Sequence, residues 1–193
     1  MAMRRLLRYG GIAALCTAAG FASGLRPAPP EADVKMESKA CFTRVNIWYE
    51  KQDAIPSTNY HSGEILPAAT PVKILAVGKK KIRFAVEGKG EFTIDHMTEH
   101  SPVELTELFE QYFSESDPVA PDGKFHSFTK EEQRHIVNGT LAAGMGREAV
   151  LMAYGYPPSH KTPKLEAETW KYWIGKWRSH DITFDKDGKL KSF

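Results

Sequence analysis

A chain of 193 residues, 41% hydrophobic and 26% charged, has room for one large domain or two small ones, and its composition excludes wholesale disorder. Its formal charge of +2 is concentrated at one end: Arg4, Arg5 and Arg8 lie in the first 25 residues, which carry no acid, and without them 23 basic residues face 24 acidic ones, a balance of −1. A neutral body lacks the field that phosphate-backbone binding requires, which excludes a dedicated nucleic-acid binder; two cysteines exclude a disulfide framework and a thiolate zinc site.

Residues 1–25 read as an export leader. A short positive start is followed by an apolar and small-residue stretch from Tyr9 to Ala22, and Arg26-Pro27-Ala28-Pro29-Pro30 then breaks any helix. The apolar core falls short of the ~18–20 residues that span a bilayer, which predicts removal of the leader; an uncleaved anchor is the alternative. Leu15 stands where lipoprotein signals place a small residue, so lipidation of Cys16 is disfavoured, and Arg4-Arg5 is not by itself a twin-arginine signal.

Residues 26–40 form a Pro- and charge-rich tether. From Cys41 the pattern has period two: Thr43, Val45, Ile47 and Tyr49 alternate with Arg44, Asn46, Trp48 and Glu50, a strand signature. Ile65-Leu66, then Val72, Ile74 and Ala76, then Ile82, Phe84 and Val86, and finally Phe92-Thr93-Ile94 continue the series between Gly/Pro turns. Five short strands in about 55 residues predict a small barrel or curled sheet over 41–97.

Ser101-Pro102-Val103-Glu104 has the form of a capping box, predicting a helix with Leu105, Leu108, Phe109 and Tyr112 on one face; it could pack on the barrel or bridge two domains. Residues 114–124 read as a linker, completing a bridging segment over 101–127. Thr129-Lys130-Glu131-Glu132 is a second capping box, opening a helix that ends near Asn138-Gly139. A further helix starts at Gly146, with Met145 and Val150 placed as a hydrophobic staple, and stops at a left-handed Gly155 before Pro157-Pro158. Trp170, Tyr172 and Ile174 then alternate with Thr169, Lys171 and Trp173; Arg178–Phe184 alternates again; Asp185-Lys186-Asp187-Gly188 turns the chain into a last strand. Residues 128–193 are thus a helix-helix-strand-strand-strand unit, and the fold class is α+β.

Two resemblances attach to these segments. Gly144-Met145-Gly146-Arg147-Glu148-Ala149-Val150, Tyr154-Gly155-Tyr156-Pro157, Thr169-Trp170-Lys171-Tyr172-Trp173 and Ile182–Leu190, in that order, resemble the SmpA/OmlA family over roughly 128–193. That resemblance implies a helix-helix-sheet fold shared with outer-membrane assembly lipoproteins and with proteins that inhibit β-lactamases. Arg44-Val45-Asn46-Ile47-Trp48, Asn59-Tyr60 and Gly63–Leu75, with Leu66-Pro67-Ala68-Ala69-Thr70-Pro71-Val72, are similar to bacterial SH3-like domains over about 41–97, which implies a small barrel of the kind that binds cell-wall peptides or proteins.

No catalytic constellation is legible. His96-Met97-Thr98-Glu99-His100 matches an inverted zinc-protease string, but that chemistry needs both histidines on one helical face, and here a strand end and a turn carry them. Cys41 and His135 lack a third group, Asp185–Gly188 lacks the closing glutamate of a calcium loop, and Lys79-Lys80-Lys81 reads as a solvated turn. No cofactor and no metal are expected. Large aromatics on strand faces that a fold leaves uncovered mark partner surfaces, so the binding candidates are Trp48, Tyr60, Trp173 and Trp177; packing between domains is the competing role for the first and third. The expected function is that of a non-enzymatic exported protein, periplasmic or outer-membrane associated, recognising an envelope protein or cell-wall component. An inhibitor of an extracellular enzyme is one alternative, and a metal-dependent hydrolase using His96, Glu99 and His100 is another. Membrane association would run through an uncleaved N-terminus or a lipid anchor.

Overall fold

Alternation of branched and aromatic residues with polar ones buries Val72, Ile74 and Ala76 of β5 (Pro71–Val77), Ile82, Phe84 and Val86 of β6 (Lys81–Val86), and Phe92 and Ile94 of β7 (Gly90–Asp95). These strands come from a computed structural model that describes residues 39–193. The leader over 1–25, Cys16 and the tether up to residue 38 lie outside the described residues. With β1 (Lys39–Thr43), β3 (Ile55–Pro56) and β8 (Phe113–Ser114) they build a curled six-stranded sheet of order β3-β7-β6-β5-β1-β8, antiparallel except where β3 runs parallel to β7. A separate ribbon pairs β2 (Ile47–Tyr49) with β4 (Glu64–Leu66). The remaining elements are α1 (Leu105–Tyr112), α2 (Lys130–Asn138), α3 (Arg147–Tyr154) and a meander of β9 (Thr169–Gly175), β10 (Arg178–Phe184) and β11 (Leu190–Ser192). The protein is therefore mixed α+β, and among the described residues no helix is long and apolar enough to cross a membrane.

Two hydrophobic clusters occupy one compact unit. The first gathers the β1–β7 side chains, and α1 packs on it through Leu108 and Tyr112, with Leu105 and Phe109 alongside. The second gathers Ile136 of α2, Ala149, Val150 and Ala153 of α3, and Trp170, Tyr172, Ile182 and Phe184 of the meander. Met145 and Val150 share this cluster, as the expected staple requires.

Glu132 organises the start of both helices. Its Oε2 accepts from the backbone N–H and hydroxyl of Thr129, which completes the expected capping box, and its Oε1 accepts from the N–H of Gly146 at 2.9 Å. Gly146 caps α3 without a side chain of its own, and the Glu132 carboxylate of the neighbouring helix satisfies the N–H of this cap residue, one of the unpaired donors at the helix start. Burial alone would raise this carboxyl, but the Gly146 and Thr129 N–H groups, the Thr129 hydroxyl and the charge of Lys189 together hold it below its ordinary value.

Three expectations are corrected. The alternating stretch after Cys41 is not one strand. It breaks between β1 and β2, because Arg44 N–H donates to Tyr112 O and Asn46 N–H to Met152 O, drawing the segment toward the helices rather than along the sheet. Ser101 does not cap α1: its N–H closes a turn on Met97 O, and the helix starts later, with Glu104 at the cap and no side-chain cap bond. Gly155 ends α3 with φ 78° but ψ −179°, an extended left-side conformation essentially reserved for glycine, not the left-handed helical one.

The break at Asn46 defines how the two clusters join. An α-helix leaves its last four carbonyls without intrahelical partners. In α3, Leu151 O accepts from Gly155 N–H, while Met152 O accepts from Asn46 N–H (3.0 Å), Ala153 O from Asn46 Nδ2 (3.0 Å), and Tyr154 O from both Asn59 Nδ2 (3.3 Å) and His61 Nε2 (2.9 Å). Asn46 Nδ2 also donates to Ile136 O near the end of α2 (2.7 Å), and its Oδ1 accepts from Ala68 N–H (2.7 Å). The helix stops are placed for close approach as well: a Cβ on Gly139 would lie 2.7 Å from Ile65 Cδ1 and 3.0 Å from Trp48 Cζ2, and one on Gly155 would lie 2.4 Å from Asn59 Nδ2.

Asn46 is fully buried, and truncation would leave the enclosed Ala153 carbonyl and the half-buried Ala68 N–H without these partners. Asn46→Ala is expected to lower the free energy of unfolding by about 3 kcal/mol in urea denaturation. A loss below about 1 kcal/mol would mean that this amide does not join the clusters.

Candidate functional site

Trp48 is only 7% exposed, because the face of β2 that its register assigns to solvent is covered by the ends of α2 and α3. Its ring belongs to an aromatic group along this seam. His61 lies at the centre, with ring centroids 4.4 Å from Trp48, 4.2 Å from Tyr154, 5.1 Å from Tyr172 and 6.2 Å from His180. The Tyr172 hydroxyl donates to Gly155 O at 2.8 Å, and burial pushes this phenol well above its usual range. The N–H of His61 donates to Trp173 O, so the 60–62 segment covers part of the open edge of β9.

A carbonyl acceptor at 2.9 Å means that His61 Nε2 carries the proton, and Nδ1 presents a lone pair fully enclosed by the protein. The residue keeps some accessible surface, but Nδ1 has none with which to hydrate an imidazolium. Burial, helped by the charge of nearby His180 and only partly offset by the Tyr154 carbonyl, lowers the His61 pKa to about 4. His180 is shifted in the same direction, also chiefly by burial.

The other three aromatic candidates separate. Tyr60 is half-buried beside the seam. Trp173, on the outer face of β9, is half-buried under His160, whose ring stacks on it at 6.3 Å and 19°, and His160 Nδ1 is anchored on His100 O at 2.6 Å. Trp177 alone among the four stands in the open. It lies in the two-residue turn between β9 and β10, is 87% exposed, and is flanked by Lys176, whose Nζ sits 5.0 Å from the indole, and by Arg178. Alternation told which side of a strand each ring takes, not whether another element covers that side.

The remaining motifs take structural places. His96 Nε2 faces Ser101 O at 2.9 Å, and His100 faces His160 with ring centroids 5.0 Å apart. Cys41 is buried, which pushes its thiol up and away from reactivity. Asp185 Oδ1 accepts from the N–H groups of Asp187 and Lys189, closing the hairpin. Among the described residues, no three His, Cys, Asp or Glu side chains converge where they could hold a metal ion.

One feature escaped the sequence. The segment read as a linker, 114–124, is a wall held by its own hydrogen bonds: Asp117 Oδ1 accepts from Val119 N–H, Ala120 O from Gly123 N–H, and Pro118 O from Phe125 N–H, while His126 Nε2 donates to Val119 O. Together with Arg44-Val45 and the outer face of α3 it encloses a cleft of about 480 Å³ floored by Val45, Phe128 and Met152. The only local signals were the turn-forming Asp117-Pro118 and Pro121-Asp122-Gly123.

No family model matches the chain, and comparison with curated proteins and with solved structures finds no match.

The His61 shift has a definite sign. As pH falls below 6.5 the unfolded chain protonates this imidazole while the folded one refuses the proton until about pH 4, so the contribution is complete above the window and is lost through it. Unfolding free energy is expected to fall by about 3 kcal/mol between those limits on this account. Measured pH–stability curves should flatten in His61→Phe relative to the wild type; superimposable slopes would contradict the assignment.

Proposed function

We propose that this chain is a non-enzymatic, exported component of a bacterial envelope, built as an SH3-like barrel followed by an SmpA/OmlA-like unit, which works by recognising a partner protein or cell-wall component. The observation that carries this reading is Trp177, a large apolar ring 87% exposed at a hairpin tip between two cations. Tryptophan and arginine are favoured anchors of binding surfaces, the ring because it contributes much contact area at low entropy cost.

The arm that presents it is a paired hairpin rooted in the core, with a register irregularity between Arg178 and Ser179 at its tip. The β9–β10 ladder runs from Arg178↔Gly175 to Thr183↔Thr169, an ion pair joins Lys171 to Asp181 across it, and Trp170, Tyr172 and Ile182 root it in the second cluster. Asp181 is occupied by Lys171, so the cations beside Trp177 keep their charge for a partner with an acidic rim around an apolar recess.

The test compares the purified wild type with Trp177→Ala in capture from envelope extracts, with quantitative mass spectrometry of what is retained. A defined partner should be recovered by the wild type and reduced about thirtyfold by the substitution, the scale of a binding hot spot. Equal recovery by both proteins, or turnover of a substrate by the purified protein with no partner retained, would overturn the reading.

A further inference from the structure

We infer that the cleft formed by the β1–β2 connection, the 114–124 wall and α3 is a binding site for a short peptide with free termini, its carboxylate facing Arg44 and its ammonium facing Asp117 and Asp122. The inference is independent of the hairpin reading and rests on four features of the cleft.

Its volume, about 480 Å³, falls within the range of sites that enclose small ligands, and is larger than a single amino acid would fill. Its wall is preformed by the hydrogen bonds within 117–126, so binding would not have to order it. Its floor of Val45, Phe128 and Met152 is apolar and bridges the two hydrophobic clusters, which suits an aliphatic side chain. Its charged groups are of both signs and are available. The Arg44 guanidinium donates to Glu110 O and has no carboxylate partner among the described residues. Asp122 has no hydrogen-bond or ion-pair partner among them, and Asp117 uses one oxygen for the Val119 N–H. The other charges at the rim, Lys124 and Glu148, neutralise each other at 2.6 Å. Ser114 and Ser116, whose hydroxyls lie 3.2 Å apart, add neutral hydrogen-bonding groups suited to peptide amides. A cleft that leaves one guanidinium and two carboxylates open over an apolar floor matches a zwitterion with an apolar middle, and matches neither an anion nor a neutral apolar molecule.

Calorimetry and NMR titration of the full chain with the tripeptide Ala-Leu-Ala test this directly, with its N-acetylated form, its C-amidated form and free leucine as parallel arms. Binding is expected with a Kd between roughly 10 μM and 1 mM. Removal of either terminal charge should weaken it about two- to fivefold, as the loss of one partly exposed ion pair does. In Arg44→Met the C-amide should bind as well as the free acid, whereas in Asp117→Asn/Asp122→Asn the N-acetyl form should bind as well as the free amine; a purely structural role would not produce that crossed pattern. The proposal is overturned by absence of binding at roughly 5 mM peptide, by equal affinity of capped and uncapped forms for the wild type, or by free leucine binding as tightly as the tripeptide.

Discussion

Three carbonyls at the end of α3 govern this structure. A helix of eight residues cannot satisfy its own last turn, and here Met152, Ala153 and Tyr154 turn their oxygens to Asn46, Asn59 and His61, residues about a hundred positions earlier in the chain. Buried carbonyls left without donors would cost more than the net value of a typical hydrogen bond, so the helix and the sheet segment that supplies the donors hold each other in place. Asn46 is suited to this because one amide carries two donors and an acceptor, and all are used. The glycines that end α2 and α3 allow the contact, since a side chain at either would strike Ile65, Trp48 or Asn59.

That constraint decides which rings are left for recognition. Closing the seam buries Trp48 and encloses His61 among four aromatic or imidazole rings, and the neighbouring loop carries His160 over Trp173. Trp177 escapes because it lies in a turn beyond the last paired residues of β9 and β10, where no other element reaches. The same seam creates the cleft: Val45 and Met152 meet on its floor because Asn46 draws the β1–β2 connection against α3.

Much of the secondary structure was legible, because period-two alternation over β5–β7 and β9–β10, the Thr129–Glu132 capping box, and the helix-stopping Gly139 and Gly155 are local signals with local causes. The failures share a different cause. Asn46 and Trp48 read as the polar side of a half-buried strand because alternation assumes water on that side, and the ends of α2 and α3 lie there instead. Ser101 had the right neighbours for a cap, but it closes a turn on Met97 and the helix begins only after Glu104. The second use of Glu132, satisfying the cap N–H of the helix after its own, and the cleft over the 114–124 wall both depend on residues far apart in the chain, which no window of sequence displays.

Residue-resolved hydrogen exchange under increasing denaturant tests most directly whether the seam makes one cooperative body of the two clusters. Amides of β6 in the first cluster and of α3 and β9 in the second should converge on a single opening with the same free energy and the same denaturant dependence. Exchange of the α3 and β9 amides through a separate, weaker opening, with β6 still protected, would contradict the account.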